Sequence, residues 1–432
     1  MLIDFSVRNF GSIKDEMTLS AETGERLSRL KATNTIIEND SSLLKSLVVI
    51  GPNGSGKSNL IDALKLMKNM VLNDPSKITS KLSFNPFLLE ENSDKNDTSF
   101  RIRFNYGQQT FEYAFSYQAD QITFEELKVV LKTTERIYFS RHYQVYDVLP
   151  EELSAVSKST KRNSLLLYNA QKANDDNAIS VIQWFQDDLI FVDDQVIPDE
   201  LANLMNNNSV KNEFLRFLRF ADFNIIDVRV RDEPMPSLTI NGSNYSVKLI
   251  GLDNIEGLDH FTTQKLFTVH KKYDDQGNVI GEQELSLERE SRGTQKVFLI
   301  ALSIINAQLG GNGKTLLFDE FDDSLHFELS KALLQIFNSK QNRNQFILTT
   351  HELQLLNSDL RTDQIYLIEK DFKGRSTLRS VFDFKDSRNT TRYDVRYMQR
   401  YIEGRFGALP QIDVQEMLSA LDASGQESST ED

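Results

Sequence analysis

The feature that most constrains this chain is a glycine-rich loop that follows a short apolar run. Leu47–Ile50 has the composition of a strand buried on both faces, and residues 51–58 then fit the pattern G-x-x-x-x-G-K-[ST]. Glycines let the backbone turn tightly and approach a ligand, and the N–H groups at a helix N-terminus bind phosphate. A glycine loop without a ligand is the alternative, but strand, loop and helix occur in the required order. The sequence therefore predicts a nucleotide-binding phosphate loop.

Two side chains of this loop have the chemistry to hold phosphate and metal. Lys57 is expected to contact the β- and γ-phosphates, and the Ser58 hydroxyl is expected to hold Mg²⁺. The backbone around them would form the phosphate cradle. The predicted nucleotide-binding residues of this segment are Gly51, Pro52, Asn53, Gly54, Ser55, Gly56, Lys57, Ser58 and Asn59.

The amino-acid composition limits the classes of protein to which this chain can belong. The 432 residues are 39% hydrophobic and 26% charged, which predicts two or three compact globular parts. The absence of cysteine excludes disulfides and thiol nucleophiles, and five histidines without metal-ligand spacing argue against a zinc enzyme. The net charge of −14 means that contact with nucleic acid would need a local basic patch. The first residues alternate like a strand and no apolar run spans a bilayer, so we expect a cytoplasmic protein without a membrane segment.

Hydrophobic periodicity predicts an α/β chain, and this pattern is interrupted between about residues 120 and 285. Residues 25–44 have the polar composition of a loop, and the last eleven residues that of a disordered acidic tail. The predicted strands are Leu2–Arg8, Met17–Ala21, Leu47–Ile50, a hairpin at 100–117, Thr315–Phe318, Gln345–Thr350 and Ile365–Glu369. Further hairpins are predicted at Leu238–Leu249 and Leu266–Leu287. One helix is predicted directly after residue 58. Further helices are predicted at Ser180–Asp188, Val210–Ala221, Gln295–Leu309 and residues 327–338.

Three later stretches narrow the type of nucleotide site. Asp319 and Glu320 end an apolar strand, so the first can hold Mg²⁺ and the second can orient an attacking water; two solvated acids are the alternative. His351 also follows a predicted strand and can hydrogen-bond a γ-phosphate or the water, although a lone histidine is more often structural. Ser291 and Gly293 precede a buried helix, where they form either an anion site or an N-cap.

The order of these motifs strongly resembles the ABC-type ATPases of the soluble branch that includes RecF, the SMC proteins and the OLD proteins. Residues 319–326, D-E-F-D-D-S-L-H, look like that branch's Walker B motif and D-loop. Residues 291–294, S-R-G-T, resemble its signature motif, and His351 resembles its switch histidine. Residues 7–12, V-R-N-F-G-S, are similar to the opening strand, which lies near the nucleotide in this branch.

The resemblance implies ATP and Mg²⁺ as cofactors and hydrolysis of ATP to ADP and phosphate. It also implies a homodimer in which two chains sandwich two ATP molecules, with a higher oligomer as an alternative. One chain would supply the catalytic residues Lys57, Glu320 and His351, the metal ligands Ser58 and Asp319, and the nucleotide-binding residues Arg8 and Asn9, while the other would supply Ser291 and Gly293. Dimerisation would depend on ATP because the γ-phosphate bridges the two halves.

Two features depart from the pattern of this branch. Arg292 stands where many ABC signatures have a glycine, although E-S-x-G-T is common in the closest subgroup. No clear Q-loop glutamine is found between Val71 and Arg101.

The resemblance also divides the chain and implies an α/β fold, an ABC-ATPase head with a mixed sheet that is split by a mixed α+β insert. Residues 1–118 would form the N-terminal lobe and residues 119–284 an insert for dimerisation or sensing. Residues 285–370 would form the C-terminal lobe with the signature, Walker B motif and switch histidine. Residues 371–432 would form a short helical C-terminal extension and the acidic tail.

The C-terminal extension carries a second pattern. Arginine and tyrosine recur every four residues and form two adjacent helical stripes, Arg388, Arg392, Arg396 and Arg400 beside Tyr393, Tyr397 and Tyr401. Tyrosines packed on the ATPase are favoured over a contact surface for an acidic partner or nucleic acid. Residues 401–410 look like the Y-x-x-G-R-[FY]-G-x-x-P ending of stand-alone ATPases such as RloA, the AbiL ATPase and AriA of the PARIS system.

This narrower resemblance implies an ATPase sensor or scaffold of a bacterial anti-phage, abortive-infection system that controls a separate Toprim-like effector. One alternative is a RecF-like repair ATPase that clamps DNA when ATP closes the dimer. Another is an ATP-bound oligomeric scaffold with negligible turnover. The acidic net charge and the ending favour the first hypothesis, and Glu320 and His351 count against the last.

Overall fold

The computed structural model describes most of the chain as strands and helices. The described residues are 1–24, 27–39, 41–131, 134–192, 197–221, 224–234, 237–240, 243–246, 262–384, 397–403, 414, 415 and 418. The strands are β1 (Leu2–Arg8), β2 (Met17–Ser20), β3 (Thr35–Glu38), β4 (Ser41–Leu44), β5 (Ser46–Ile50), β6 (Thr98–Tyr106), β7 (Gln109–Gln118), β8 (Gln121–Leu131), β9 (Thr134–His142), β10 (Val145–Val148), β11 (Leu189–Val192), β12 (Asp227–Pro234), β13 (Ser237–Ile240), β14 (Ser243–Ser246), β15 (Thr262–Tyr273), β16 (Val279–Ser286), β17 (Thr315–Phe318), β18 (Gln345–Thr350), β19 (Ile365–Lys370) and β20 (Ser376–Ser380).

The helices are concentrated around the middle of the chain and after the hairpin of β15 and β16. They are α1 (Lys31–Asn34), α2 (Lys57–Leu72), α3 (Ser154–Ser159), α4 (Leu166–Lys172), α5 (Asp176–Gln183), α6 (Asp199–Asn203), α7 (Asn208–Phe220), α8 (Arg292–Leu309), α9 (Phe327–Phe337) and α10 (Tyr397–Ile402). Within the part of the chain that the structure describes, none of these helices has the length and apolar character needed to cross a membrane.

The central element is a six-stranded sheet in the order β11-β17-β18-β5-β19-β20. All neighbouring strands are parallel except β20, which pairs antiparallel with β19. The carboxyl ends of parallel strands lie at one edge of a sheet, and in open α/β sheets ligands bind at that edge. The loops that follow β5, β17 and β18 therefore meet there.

Alternate residues of the central strands enter two separate apolar cores. Leu47 and Val49 face a core that contains α2 and the inner face of an antiparallel sheet, whereas Val48 and Ile50 face a core that contains α8 and α9. A strand that is covered on both faces needs a continuous apolar run rather than an alternating one. This explains why the phosphate-loop strand is recognisable from its composition.

A seven-stranded antiparallel sheet covers the first core, in the order β10-β9-β8-β7-β6-β1-β2. The predicted hairpin at 100–117 is present as β6 and β7. The sheet continues beyond residue 118 through β8, β9 and β10, and β11 joins the central sheet. The predicted division between a lobe and an insert at residue 118 therefore does not coincide with the end of a sheet, and the four-part division stays a prediction.

The remaining insert residues form smaller units. β12, β15 and β16 make a three-stranded antiparallel sheet, and β13 pairs with β14. The predicted hairpin at Leu266–Leu287 is present as β15 and β16, and the helix predicted at Val210–Ala221 is present as α7. The mixed α/β architecture expected from the sequence is confirmed.

Two local predictions differ from the structure. The loop predicted at 25–44 is wrong, because α1, β3 and β4 occupy much of it. The expected C-terminal extension contains α10, but it begins with β20, a strand that the sequence did not predict. The missed strands are short: β20 forms by pairing with β19 of the central sheet, whereas β3 and β4 pair with each other.

The tyrosine and arginine stripes are described only at their C-terminal end. Tyr397 and Tyr401 are buried in the core that contains α8 and α9, as the packing alternative predicts. The remaining positions, Arg388, Arg392, Tyr393 and Arg396, lie outside the described residues, as do residues 404–410.

A fully buried ion pair fixes the antiparallel sheet to the helices beside it. The Glu125 carboxylate accepts hydrogen bonds from Arg141 Nε at 2.8 Å and from the backbone N–H groups of Leu166 and Leu167 at 2.8 and 2.9 Å. Tyr113 donates its hydroxyl to the same carboxylate at 3.0 Å. Burial raises the pKa of Tyr113 well above its usual value, and the Glu125 carboxylate adds to this shift. Both oxygens of the buried Glu125 carboxylate are thus hydrogen-bonded.

Removing one partner of this pair should be costly. We expect Glu125→Ala to lower the free energy of unfolding by about 3–5 kcal/mol, because Arg141 would remain buried without a counter-charge. Glu135→Ala on the same sheet removes an exposed partner of Lys128 and should change that free energy by about 0.5 kcal/mol or less. Urea unfolding followed by circular dichroism measures both, and equal losses would contradict the assignment.

Candidate functional site

The groups predicted to bind nucleotide meet at the carboxyl edge of the central sheet. β5 and β18 end in register, with Ile50 opposite Thr350, and β17 pairs with β18 along its whole length. Gly51, Asp319 and His351 directly follow these three strands. The structure therefore brings the phosphate loop, the D-E pair and the histidine to one edge.

The glycines of the phosphate loop stand where a side chain would collide. A Cβ on Gly51 would lie 2.3 Å from the Ile368 carbonyl oxygen. Gly56 has a φ of +105°, and a Cβ on it would lie 2.3 Å from Ser376 Oγ and 2.7 Å from Ser12 Oγ. The loop is thus packed against β19 and β20 from below, while Asn53 and Gly54 are exposed at its outer side.

Lys57, which is expected to bind phosphate, contacts the backbone of the phosphate loop. Its Nζ donates to the carbonyl oxygens of Gly51 at 2.7 Å and Pro52 at 3.2 Å. Burial lowers the pKa of Lys57, and the carboxylates of Glu320 and Asp319 oppose that shift. A phosphate placed in the loop would offer the ammonium group a stronger acceptor than these carbonyls.

A directed chain of hydrogen bonds supports the loop from beneath. Asn59 Nδ2 donates to Ser12 Oγ at 2.7 Å, and Ser12 Oγ lies 2.7 Å from Ser376 Oγ. Ser376 Oγ donates to the Ser55 carbonyl oxygen at 2.6 Å. The side-chain amide of Asn59, predicted to bind nucleotide, is therefore engaged with the protein.

Ser12 and Ser376 contact the site but were not among the residues predicted from the sequence. Ser12 belongs to the N-F-G-S segment that was singled out for other residues, so a signal existed for it. Ser376 lies on β20 and has no local signal, because its role follows only from the pairing of β20 with β19.

Arg8 and Asn9 behave differently from each other. Arg8 is exposed at the end of β1. Asn9 is buried, and its side chain donates to the carbonyl oxygens of Ser93 at 3.1 Å and Asn96 at 2.8 Å while accepting from Phe87 N at 3.1 Å. These contacts give Asn9 a structural role, so Arg8 is the residue of this pair that is free to reach a ligand.

The backbone at Glu320 is held in an unusual conformation. Its φ is +47°, a region that costs a residue with a side chain about 1–3 kcal/mol. Thr349 Oγ1 accepts the Glu320 N–H at 2.8 Å and donates to the Asp319 carboxylate, and Lys296 Nζ donates to the Glu320 carbonyl oxygen at 3.0 Å. The Glu320 backbone is thus fixed by hydrogen bonds, while the residue is exposed to solvent.

His351 is exposed and follows β18 directly. Asp322, a neighbour of this region, is 8% exposed, and its Oδ1 has no hydrogen-bond partner among the described residues. Burial raises the pKa of the Asp322 carboxyl. Asp322 is thus a buried carboxyl within the D-E-F-D-D-S-L-H segment.

The residues fit a magnesium–nucleotide site that relies on few protein ligands. Ser58 is exposed in the first turn of α2, and Asp319 lies at the end of β17. Across the described ranges, no group of three or more His, Cys, Asp or Glu side chains could hold a metal ion by itself. Magnesium at nucleotides is usually bound by one or two protein groups, with phosphates and water completing the shell. Ser58 and Asp319 are the residues that would hold it.

Ser291 and Gly293 lie in a different place from the phosphate loop. Ser291 caps α8, where its Oγ accepts from Thr294 N at 3.1 Å. A Cβ on Gly293 would lie 2.6 Å from the Ser324 carbonyl oxygen. Both residues line an open cleft of about 560 Å³ whose remaining lining is Ala221, Thr294, Ser324, Leu325, His326, Glu328, Leu329 and Ala332. No phosphate-loop residue lines this cleft.

A parallel sheet that carries a phosphate loop, a D-E pair and a histidine at one edge defines a P-loop ATPase head. The chain belongs to the family described as "AAA domain, putative AbiEii toxin, Type IV TA system", whose model matches residues 46–357. This match confirms the P-loop ATPase class that the sequence predicts. No curated protein matches the chain significantly.

Three solved structures of SMC heads are similar to this chain. An SMC head bound to the C-terminal winged-helix domain of ScpA has 14% identity and a TM-score of 0.43, covering 88% of this chain and 97% of that one. The SMC head domain from Thermotoga maritima has 14% identity and a TM-score of 0.38, covering 88% and 98%. A head with an extended coiled coil, bound to a ScpA domain from Pyrococcus furiosus, has 12% identity and a TM-score of 0.39, covering 88% and 96%. Likenesses this distant carry no functional argument.

The chain of hydrogen bonds beneath the loop predicts the effect of a substitution at Ser376. We expect Ser376→Ala to weaken ATP binding severalfold, because it removes a hydrogen bond worth about 1 kcal/mol from the Ser55 carbonyl oxygen. Thr377→Ala, an exposed neighbour on β20, should bind ATP like the wild type. Titration with a fluorescent ATP analogue measures the dissociation constants. Equal affinities for the wild type and Ser376→Ala would show that β20 does not support the loop.

Proposed function

We propose that this protein is an ABC-type ATPase that dimerises around ATP and acts as the sensor or scaffold of a bacterial anti-phage system, where it controls a separate Toprim-like effector. The observation that carries the ATPase part is the meeting of Lys57, Asp319 and Glu320 at one sheet edge. The signature cleft, which is lined by no phosphate-loop residue of the same chain, supports the dimer. The family to which the chain belongs is described by a putative AbiEii toxin of a Type IV TA system, and this description supports the proposed defence role.

Within the site each side chain has a distinct task. The loop N–H groups and Lys57 would bind the phosphates, and Ser58 with Asp319 would hold a magnesium ion, which would neutralise charge that develops on the transferred phosphoryl group. Glu320 orients the attacking water and accepts its proton, and His351 donates a hydrogen bond to the γ-phosphate or to that water. The contacts of Thr349 and Lys296 keep Glu320 in place, so its carboxylate needs little reorganisation.

Two copies complete each site. The cleft lined by Ser291 and Gly293 is open to solvent and offers a helix N-terminus, which favours an anion. In a two-fold symmetric dimer with each phosphate loop facing the partner's signature, this N-terminus of one copy would contact the γ-phosphate bound by the other. ATP would then hold the two copies together, and hydrolysis would release them.

The catalytic assignment predicts the behaviour of one variant. We expect Glu320→Gln to slow ATP turnover by about 10²-fold or more and to prolong ATP-dependent dimers, because the amide cannot accept the proton of the attacking water. Glu151→Gln, an exposed position in the insert, is the matched control. Phosphate release and light scattering after size-exclusion chromatography measure the two effects. Turnover in Glu320→Gln at the wild-type rate, with unchanged dimer lifetime, would refute the assignment.

The partner is tested in the native host. A tagged wild-type chain should copurify with a Toprim-like protein, and Lys57→Ala should abolish protection against phage. Recovery of DNA in place of such a protein, lost at high salt, would favour the RecF-like alternative. Bound ATP without turnover in the intact protein would favour the scaffold alternative.

A further inference from the structure

The hairpin of β15 and β16 touches the residue that precedes the signature serine. On β15, His270 Nε2 lies 2.8 Å from Glu290 Oε1, and Thr268 donates its hydroxyl to the same oxygen. Thr268 is fully buried, and the side chains of His270 and Glu290 are 25% and 13% exposed. The Glu290 carboxylate is thus enclosed by two polar groups of a single strand.

The backbone of Glu290 is held from the opposite direction. Gln295 Nε2 donates to the Glu290 carbonyl oxygen at 2.9 Å and to the Glu288 carbonyl oxygen at 3.2 Å. Gln295 lies in the first turn of α8, and Glu290 N donates to the Leu287 carbonyl oxygen at 3.0 Å. Glu290 is therefore where the hairpin and the helix start are joined.

Ser291 depends on this joint for its position. It is the next residue in the chain, and its Oγ caps α8 by accepting from Thr294 N at 3.1 Å. A shift of the hairpin that carried the Glu290 carboxylate would rotate the backbone at Ser291 and move its hydroxyl. Since the hairpin end is exposed, with Tyr273, Val279 and Ile280 each more than half accessible, it is available to an outside contact.

We propose that Glu290 is a positioning residue through which the β15–β16 hairpin sets the signature serine. The proposal rests on the proposed function, in which Ser291 acts on ATP bound by the second copy. The insert thereby controls turnover without touching the nucleotide. Thr268 and His270 are the hairpin side of this connection, and Gln295 is the helix side.

The proposed role of Glu290 predicts how substitutions at this residue change the kinetics of ATP hydrolysis. We expect Glu290→Ala to lower kcat at saturating ATP by roughly tenfold, as expected for the loss of hydrogen bonds to a charged group. Its affinity for ATP should match the wild type, because its own phosphate loop is untouched. Glu290→Gln should restore kcat, since the amide oxygen can accept from Thr268. Hydrogen exchange of the Thr294 amide should accelerate in Glu290→Ala alone.

A control on the same hairpin separates positioning from folding. Glu282→Ala removes an exposed carboxylate that lies 3.1 Å from Arg229 and should leave kcat and Thr294 exchange unchanged. Wild-type kcat in Glu290→Ala would overturn the proposal. So would a parallel loss of kcat, ATP affinity and melting temperature, which indicates a structural role only. Failure of the proposed function is recognised separately, because turnover would then be equal in the wild type and in Lys57→Ala.

Discussion

The parallel pairing of β17, β18 and β5 is the constraint on which the rest of the site depends. It places the phosphate loop, the D-E pair and His351 at one edge, although about 270 residues separate the first from the second. A slip of one residue would exchange the two faces of a strand and expose each core to the wrong side chains. The two cores therefore fix the register, and the register fixes the catalytic geometry.

Two supports outside the motifs hold the reacting groups in place. Beneath the loop, Ser12 and Ser376 connect β20 to the Ser55 carbonyl oxygen. At the signature, Glu290 connects β15 to the start of α8. The first support comes from a strand distant in sequence and the second from the hairpin that precedes α8, so the site is held by tertiary contacts as much as by its own loops.

The motif-bearing elements could be predicted because their local signals are strong. Thr315–Phe318 and Gln345–Thr350 each contain a run of three apolar residues, and the structure reproduces the predicted bounds to the residue. β20 could not be predicted, since Ser376–Ser380 contains one apolar residue and forms only by pairing with β19. The engagement of Asn59 with Ser12 was hidden for the same reason. Local sequence patterns thus identified the candidate site residues, whereas the residues that support them could be found only from the tertiary contacts.

The central claim is that each ATP site needs the phosphate loop of one chain and the signature of another. Lys57→Ala disables the first and Ser291→Arg the second, so each variant alone should be inactive. Mixing the two variants creates dimers with one site that combines an intact loop and an intact signature. Restored phosphate release on mixing is the predicted result. Turnover that stays absent in the mixture, or persists in Ser291→Arg alone, would contradict the shared site.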